Sequence, residues 1–215
     1  AEAKEAGRRL GIKEYITLDN HDGELVPSLV VRNQIIREIR KWNADIVLSP
    51  RPNDYHPDHR YTGVLVQDAS YLVIVPNIAS DINPLTKNPL FLYLNDNFKR
   101  PNPFQPDIVV AIDKSIDKKI NALDAHVSQM YEWIPWTMGE ENTVPKGKTN
   151  RKKWLKDRWR GNSKISNEEG ESLEKWYGGQ SRKDVKYIEV FEVCEYGNRP
   201  TDKQILRLFP MLNKI

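Results

Sequence analysis

The sequence predicts an α/β fold, Rossmann-like and three-layered, built around a mostly parallel sheet. Two observations carry this. Short apolar runs of strand length alternate along the chain with amphipathic stretches of helical period, which is the signature of a sheet wound with helices and right-handed crossovers. Asp45-Ile-Val-Leu-Ser49 is in addition a compact apolar run of the kind buried inside a parallel sheet.

Each element follows from local chemistry. Residues 1–10 are polar and helical, and Gly11 stops them. Tyr15–Leu18 is a short strand, and Asp19–Gly23 is a polar loop. Pro27 marks a helix start, after which Val31, Ile35, Ile36, Ile39 and Trp42 recur at helical spacing up to Trp42. The Asp45–Ser49 strand ends in a turn-rich loop, Pro50–Tyr55, and a helix with Val64, Leu65, Asp68 and Leu72 on one face follows His59. Phe91–Leu94 and Ile108–Ile112 are strands, joined through the Pro- and Asn-rich connection Pro101–Pro106. Lys114–Glu132 reads as one amphipathic helix, Ser172–Tyr177 as a second, Tyr187–Glu195 as a strand, and Thr201–Phe209 as a short capped helix.

Composition narrows the class. The chain has 215 residues, 39% hydrophobic and 29% charged, which excludes disordered and collagen-like chains. No apolar run approaches the roughly 20 residues that span a bilayer. One cysteine, Cys194, cannot form an internal disulfide; it reads as an inert core thiol and favours a reducing compartment, hence a cytoplasmic location. Phosphate loops of the G-x-G-x-x-G and Walker types are absent, which argues against nicotinamide enzymes and NTPases. The net charge of +3 hides an asymmetry: residues 146–164 carry nine basic side chains against Asp157, a local +8 that leaves −5 for the rest.

The most chemically loaded loop is His56-Pro57-Asp58-His59. Pro57 suits the first helical position, which makes His56 the cap and puts Asp58 and His59 in the first turn, where unsatisfied N–H groups favour an anion or a developing oxyanion. His59 is able to ligate a metal, and Asp58 to orient His56. Two histidines do not complete a metal site, however, and a capped helix with histidines in a polar loop explains the same residues.

The stretch Asp45–Arg60 resembles the second signature of the PIG-L / LmbE-like de-N-acetylases, zinc-dependent enzymes acting on N-acetylglucosamine-type substrates. Weaker similarities run in the family's order: the Glu2–Gly11 helix, the Asp22-Gly-Glu-Leu25 loop, Ala122–Gln129 and the Ile188–Phe191 strand. The resemblance implies one LmbE-like domain over 1–215, with a basic, Trp-containing insertion at about 137–170 that is not part of it. It implies Zn2+ or another divalent metal with His59 as ligand. It also implies His56 as the catalytic group that faces the oxyanion or the leaving amine, and Asp58 as the residue tuning it. Asp22 and Asp54 are implied at the substrate, Asp22 on sugar hydroxyls. The partner implied is an N-acetylated amino sugar.

One departure matters. The family's first signature, an H-P-D-D run, supplies two further ligands and the general base, and no such run occurs in these 215 residues. The expectation is therefore that the first strand unit and the remaining ligands precede Ala1. This segment alone is then expected to be inactive. A degenerate, non-catalytic carbohydrate binder is the alternative.

His126 has two readings, a pocket contact or a histidine satisfied between helix and sheet. In the basic segment, Trp154 with Arg158 and Leu155 with Trp159 stand four residues apart. A nucleic-acid or membrane surface, an aromatic lid and a plain solvated insertion all fit that pattern. With the remaining chain acidic and no nucleic-acid motif present, no nucleic-acid partner is expected. Oligomeric state is left open, a homo-oligomer included.

Overall fold

Leu90-Phe-Leu-Tyr-Leu94 is apolar throughout, and its first four residues are all buried although they alternate in direction. A strand covered on both sides must lie inside a layered sheet. The computed structural model, which describes residues 1–161, 165–179 and 181–212 without the side chains of 159–161, shows that sheet. Strands β1 (Ile46–Ser49), β2 (Leu90–Leu94), β3 (Ile108–Ala111) and β4 (Ile188–Val193) form it in the order β1-β2-β4-β3. β1 and β2 are parallel, with Ile46 opposite Leu90, whereas β4 runs antiparallel to β2, with Val193 opposite Leu92. The α/β architecture is as expected; the sheet is mixed. β1 is an outer strand of this sheet, which leaves Leu48 48% exposed despite its apolar sequence.

Tyr15–Leu18 is not among the strands. The run is only four residues long, and both Tyr15 and Ile16 are exposed, so neither pleat face is buried to fix a register.

Two compact units make up the chain: Ala1–Leu18 with Ala111–Ser166 and Lys183–Ile188, and Asp19–Val110 with Asn167–Arg182 and Glu189–Ile215. In the second unit, α2 (Leu29–Trp42) starts where Ser28 Oγ accepts the Val31 N–H at 3.3 Å and ends at Asn43, which adopts a left-handed φ of 46°. Helix α3 (Pro57–Leu72) lies beside it, and Ile36, Ile39, Val66, Ala69 and Val73 pack with Phe91, Tyr93 and Cys194. Cys194 is a buried free thiol whose Sγ lies 3.1 Å from the Tyr93 hydroxyl.

Arg40 is the exception on the apolar face of α2. Only 4% exposed, it donates to six backbone carbonyls: Leu72, Val73, Val75, Ile78, Ala79 and Ile82. Four of them, Leu72, Val73, Val75 and Ala79, also accept backbone N–H groups, whereas the Ile78 and Ile82 carbonyls have no backbone partner among the described residues, so the cation gathers the negative end of α3 and the turns after it.

In the first unit, the expected long helix at 114–132 is divided. Helix α4 (Ile116–Leu123) stops at Asp124, and a π-helical turn over Ser128–Trp133 leads into α5 (Ile134–Thr137). Asp124 explains the break. It is buried, accepts from Arg9 Nη1 of α1 (Glu2–Leu10) at 2.9 Å and from the Tyr131 hydroxyl at 2.8 Å, and so draws the chain out of helical register. His126 accordingly sits in the turn, half-buried, rather than on a helix.

The basic segment forms α6 (Lys148–Gly161). Leu155 is 3% exposed and Trp154 packs near Tyr131, with ring centroids 6.2 Å apart, so its apolar side faces the core of its own unit. Arg158 lies over Trp154 as its spacing suggested, at 5.3 Å, while the Leu155–Trp159 pairing and the side chains of Arg160 and Lys164 lie outside the described residues. Helices α7 (Asn167–Tyr177), α8 (Ser181–Asp184) and α9 (Asp202–Leu208) complete the chain, the last opened by a capping box of Thr201 and Gln204.

Candidate metal and active site

The loop between β1 and α3 is positioned by a close backbone approach. A Cβ on Gly63 would stand 2.7 Å from the Arg51 carbonyl carbon and 2.8 Å from the Pro50 oxygen, so only glycine lets α3 lie against the outgoing strand. Gly63→Ala is expected to cost about 1–3 kcal/mol and to displace the histidine loop. Thermal unfolding together with histidine ring NMR shifts measures both.

The loop opens α3 as its residues require. Pro57 takes the first helical position, and His56 is the N-cap, its Nδ1 accepting the Asp58 N–H at 3.3 Å. Asp54 Oδ1 accepts the His56 N–H at 2.9 Å and stands 3.1 Å from His59 Nδ1. A carboxylate can only accept, so in the neutral ring this pairing calls for the proton on Nδ1 and leaves Nε2 as a lone-pair donor, the usual arrangement of an imidazole oriented for a metal. The two imidazole centroids are 4.8 Å apart, and Tyr55 meets each ring edge-on at 5.9 Å.

Asp58 does more than its place beside His56 suggests. Its carboxylate accepts the N–H of Gly23 at 2.7 Å and of Leu25 at 3.2 Å, which ties the 19–25 loop to the start of α3. Gly23 has φ +82°, a conformation that favours glycine. The Asp58–His56 contact itself runs through the Asp58 backbone N–H. This tether brings Asp22 in: ligand-capable atoms of Asp22, His56 and Asp58 all lie within 4.8 Å of one another. One imidazole and two carboxylates, with His59 beside them, form a donor set that fits a divalent cation. His59 is not in that cluster; its ring faces Asp54 and is half exposed.

Sequence reasoning missed Arg51. It is 4% exposed and grips Asp96 with two nitrogens, Nε to Oδ2 at 2.7 Å and Nη2 to Oδ1 at 2.6 Å, while also donating to the carbonyls of Phe98 and Asn102. Asp96 holds the Arg51 guanidinium above its ordinary pKa. The pair fixes the 95–102 connection against the histidine loop. A charged residue two positions past an apolar strand was the available signal.

A match to the PIG-L family, GlcNAc-PI de-N-acetylase, covers residues 1–70, the span holding all five expected site residues. Over 145 residues the chain is 32% identical to diacetylchitobiose deacetylase of Thermococcus kodakarensis. Over this stretch the chain is similar to the PIG-L / LmbE-like family. The aligned stretch covers 63% of this chain and 51% of that relative, so the chain spans about half the relative's length. Among solved structures, it resembles N,N'-diacetylchitobiose deacetylase from Pyrococcus horikoshii with a TM-score of 0.58, at 23% identity over 90% of this chain and 61% of that one. It also resembles GalB, the 4-carboxy-2-hydroxymuconate hydratase of Pseudomonas putida, with a TM-score of 0.53 at 17% identity, over 94% of this chain and 72% of that one. A hydratase thus shares this architecture, and the reaction must be read from the site. No helix among the described residues is long and apolar enough to cross a membrane.

Proposed function

We propose that the protein hydrolyses the acetamide of an N-acetylglucosamine-type sugar conjugate with the help of a bound divalent metal, zinc by preference. The observation that carries this is the His59–Asp54 pairing at the mouth of α3, inside the segment that matches a de-N-acetylase family and beside the Asp22–His56–Asp58 cluster. The relatives named for deacetylating diacetylchitobiose support the substrate class.

In this reading His59 Nε2 holds the metal, which when bound polarises the amide carbonyl and lowers the pKa of a water. Asp54 is a positioning residue for His59, with Asp54 and Asp22 both near the sugar. His56, at a helix start where N–H groups and the dipole favour negative charge, faces the oxyanion or protonates the leaving nitrogen. Asp58 keeps the 19–25 loop and the His56 cap together. The general base and further ligands correspond to the family's H-P-D-D run, which these residues do not contain.

The test is acetate release from N,N'-diacetylchitobiose by the full-length gene product loaded with Zn2+. His59→Ala is expected to abolish turnover and to lower zinc stoichiometry. His56→Ala is expected to lower kcat by about 10²–10³, and zinc retained in it separates His59 as the ligand from the Asp22–His56–Asp58 donor set. A zinc-loaded full-length protein that binds the sugar without releasing acetate establishes the non-catalytic carbohydrate binder instead.

A further inference from the structure

A second polar cavity in the same unit, of about 320 Å³, is lined by Asn53, Gln67, Tyr93, Asn102, Glu192 and Tyr196, with none of the five residues expected at the metal site among them. That volume is at the lower end of small-ligand pockets and suits one monosaccharide ring. The cavity is already formed, because Arg51 locks its wall at Asp96, Phe98 and Asn102 and so removes much of the ordering cost of binding.

Its chemistry selects the ligand. Tyr93 is 8% exposed, and its hydroxyl oxygen already accepts from Gln67 Nε2 at 3.0 Å and from Cys194 Sγ at 3.1 Å; its own O–H is left to donate. Amides at Asn53, Gln67 and Asn102 offer the paired donors and acceptors that hydroxyl groups need. Tyr196, 53% exposed at the cavity, provides an aromatic face for the apolar side of a sugar ring. The charge balance is negative. Arg51 is held by a two-point grip on Asp96, whereas Glu192 stands 3.6 Å from Arg51 and, among the described residues, otherwise accepts the Gln105 N–H, and Glu195 adds a second carboxylate. Burial pushes the Glu192 carboxyl up from its ordinary value, against the opposing pull of the Arg51 guanidinium that it shares with Asp96.

We propose that this cavity binds an amino sugar in its ammonium form, with the amine directed at Glu192 and the ring against Tyr196. An amino sugar is what amide hydrolysis of an N-acetylated sugar leaves behind, so the cavity would retain a product-type ring. The cavity alone supports the proposal, whether or not the chain deacetylates anything.

The experiment is a calorimetric or NMR titration of the 215-residue chain, without added metal, with glucosamine, glucose and N-acetylglucosamine. Glucosamine is expected to bind about tenfold more tightly than either of the others, as one charge-assisted hydrogen bond allows. Glu192→Gln, which keeps an acceptor for Gln105, is expected to erase that preference, and the exposed Tyr196→Ala to weaken glucosamine and glucose alike. Equal affinity for the three sugars, no binding at all, or an unchanged preference in Glu192→Gln overturns the proposal. Acetate release by the full-length enzyme is untouched by any of these results, so the two readings fail separately.

Discussion

Arg40→Met is expected to lower the unfolding free energy by about 3 kcal/mol, because six carbonyls lose a guanidinium hydrogen bond and two of them, Ile78 and Ile82, keep no backbone partner among the described residues, each such group costing about 1–3 kcal/mol before relaxation. In a chain of this size that corresponds to a fall of roughly 6–12 °C in Tm. Methionine preserves the packing of the stem, so the loss reports the guanidinium and not a cavity. Arg40→Lys is expected to lie between the two, since an ammonium has three donors and no planar fork. Hydrogen exchange localises the effect: amides in the 73–85 connection are expected to lose protection first. A Tm for Arg40→Met within 2 °C of the parent would refute the assignment.

Arg51→Met has the second large effect. It strands the Asp96 carboxylate, 12% exposed, beside Glu192 at 19%, with their shared cation gone. Breaking one side of such a buried pair costs about 3–5 kcal/mol, most of it the penalty of the remaining charge. Adding Asp96→Asn to Arg51→Met is therefore expected to recover part of the loss, and a double-mutant cycle by urea unfolding measures it. Additive losses from the two substitutions would mean that the guanidinium and carboxylate do not act as a unit.

Both arginines show where sequence legibility ends. The α2 stripe was readable from Val31, Ile35, Ile36, Ile39 and Trp42, because burial of one helix face imposes a 3.6-residue period. Arg40 falls on that stripe and looks like an interruption, since its partners are carbonyls up to 42 positions away that only the fold assembles. The histidine loop was readable almost to the atom: the His56 cap and Pro57 at the first turn are local chemistry. Asp22 reaching His56 was not, because it depends on two N–H groups of a distant loop finding Asp58. The 114–132 helix failed for a related reason. Its period was sound, but Asp124 had a stronger claim on Arg9 and Tyr131 than on helical continuity. The antiparallel sense of β4 was equally invisible, since strand periodicity carries no direction.

That last strand governs how the protein can be made. β4 lies between β2 and β3, so the two earlier strands cannot share a ladder until residues 188–193 have left the ribosome. Until residues 188–193 are made, the nascent chain therefore holds the side of Leu90–Leu94 away from β1, and Ile108–Ala111, as apolar edges that β4 will pair. Premature termination anywhere before Ile188 leaves both open to intermolecular pairing.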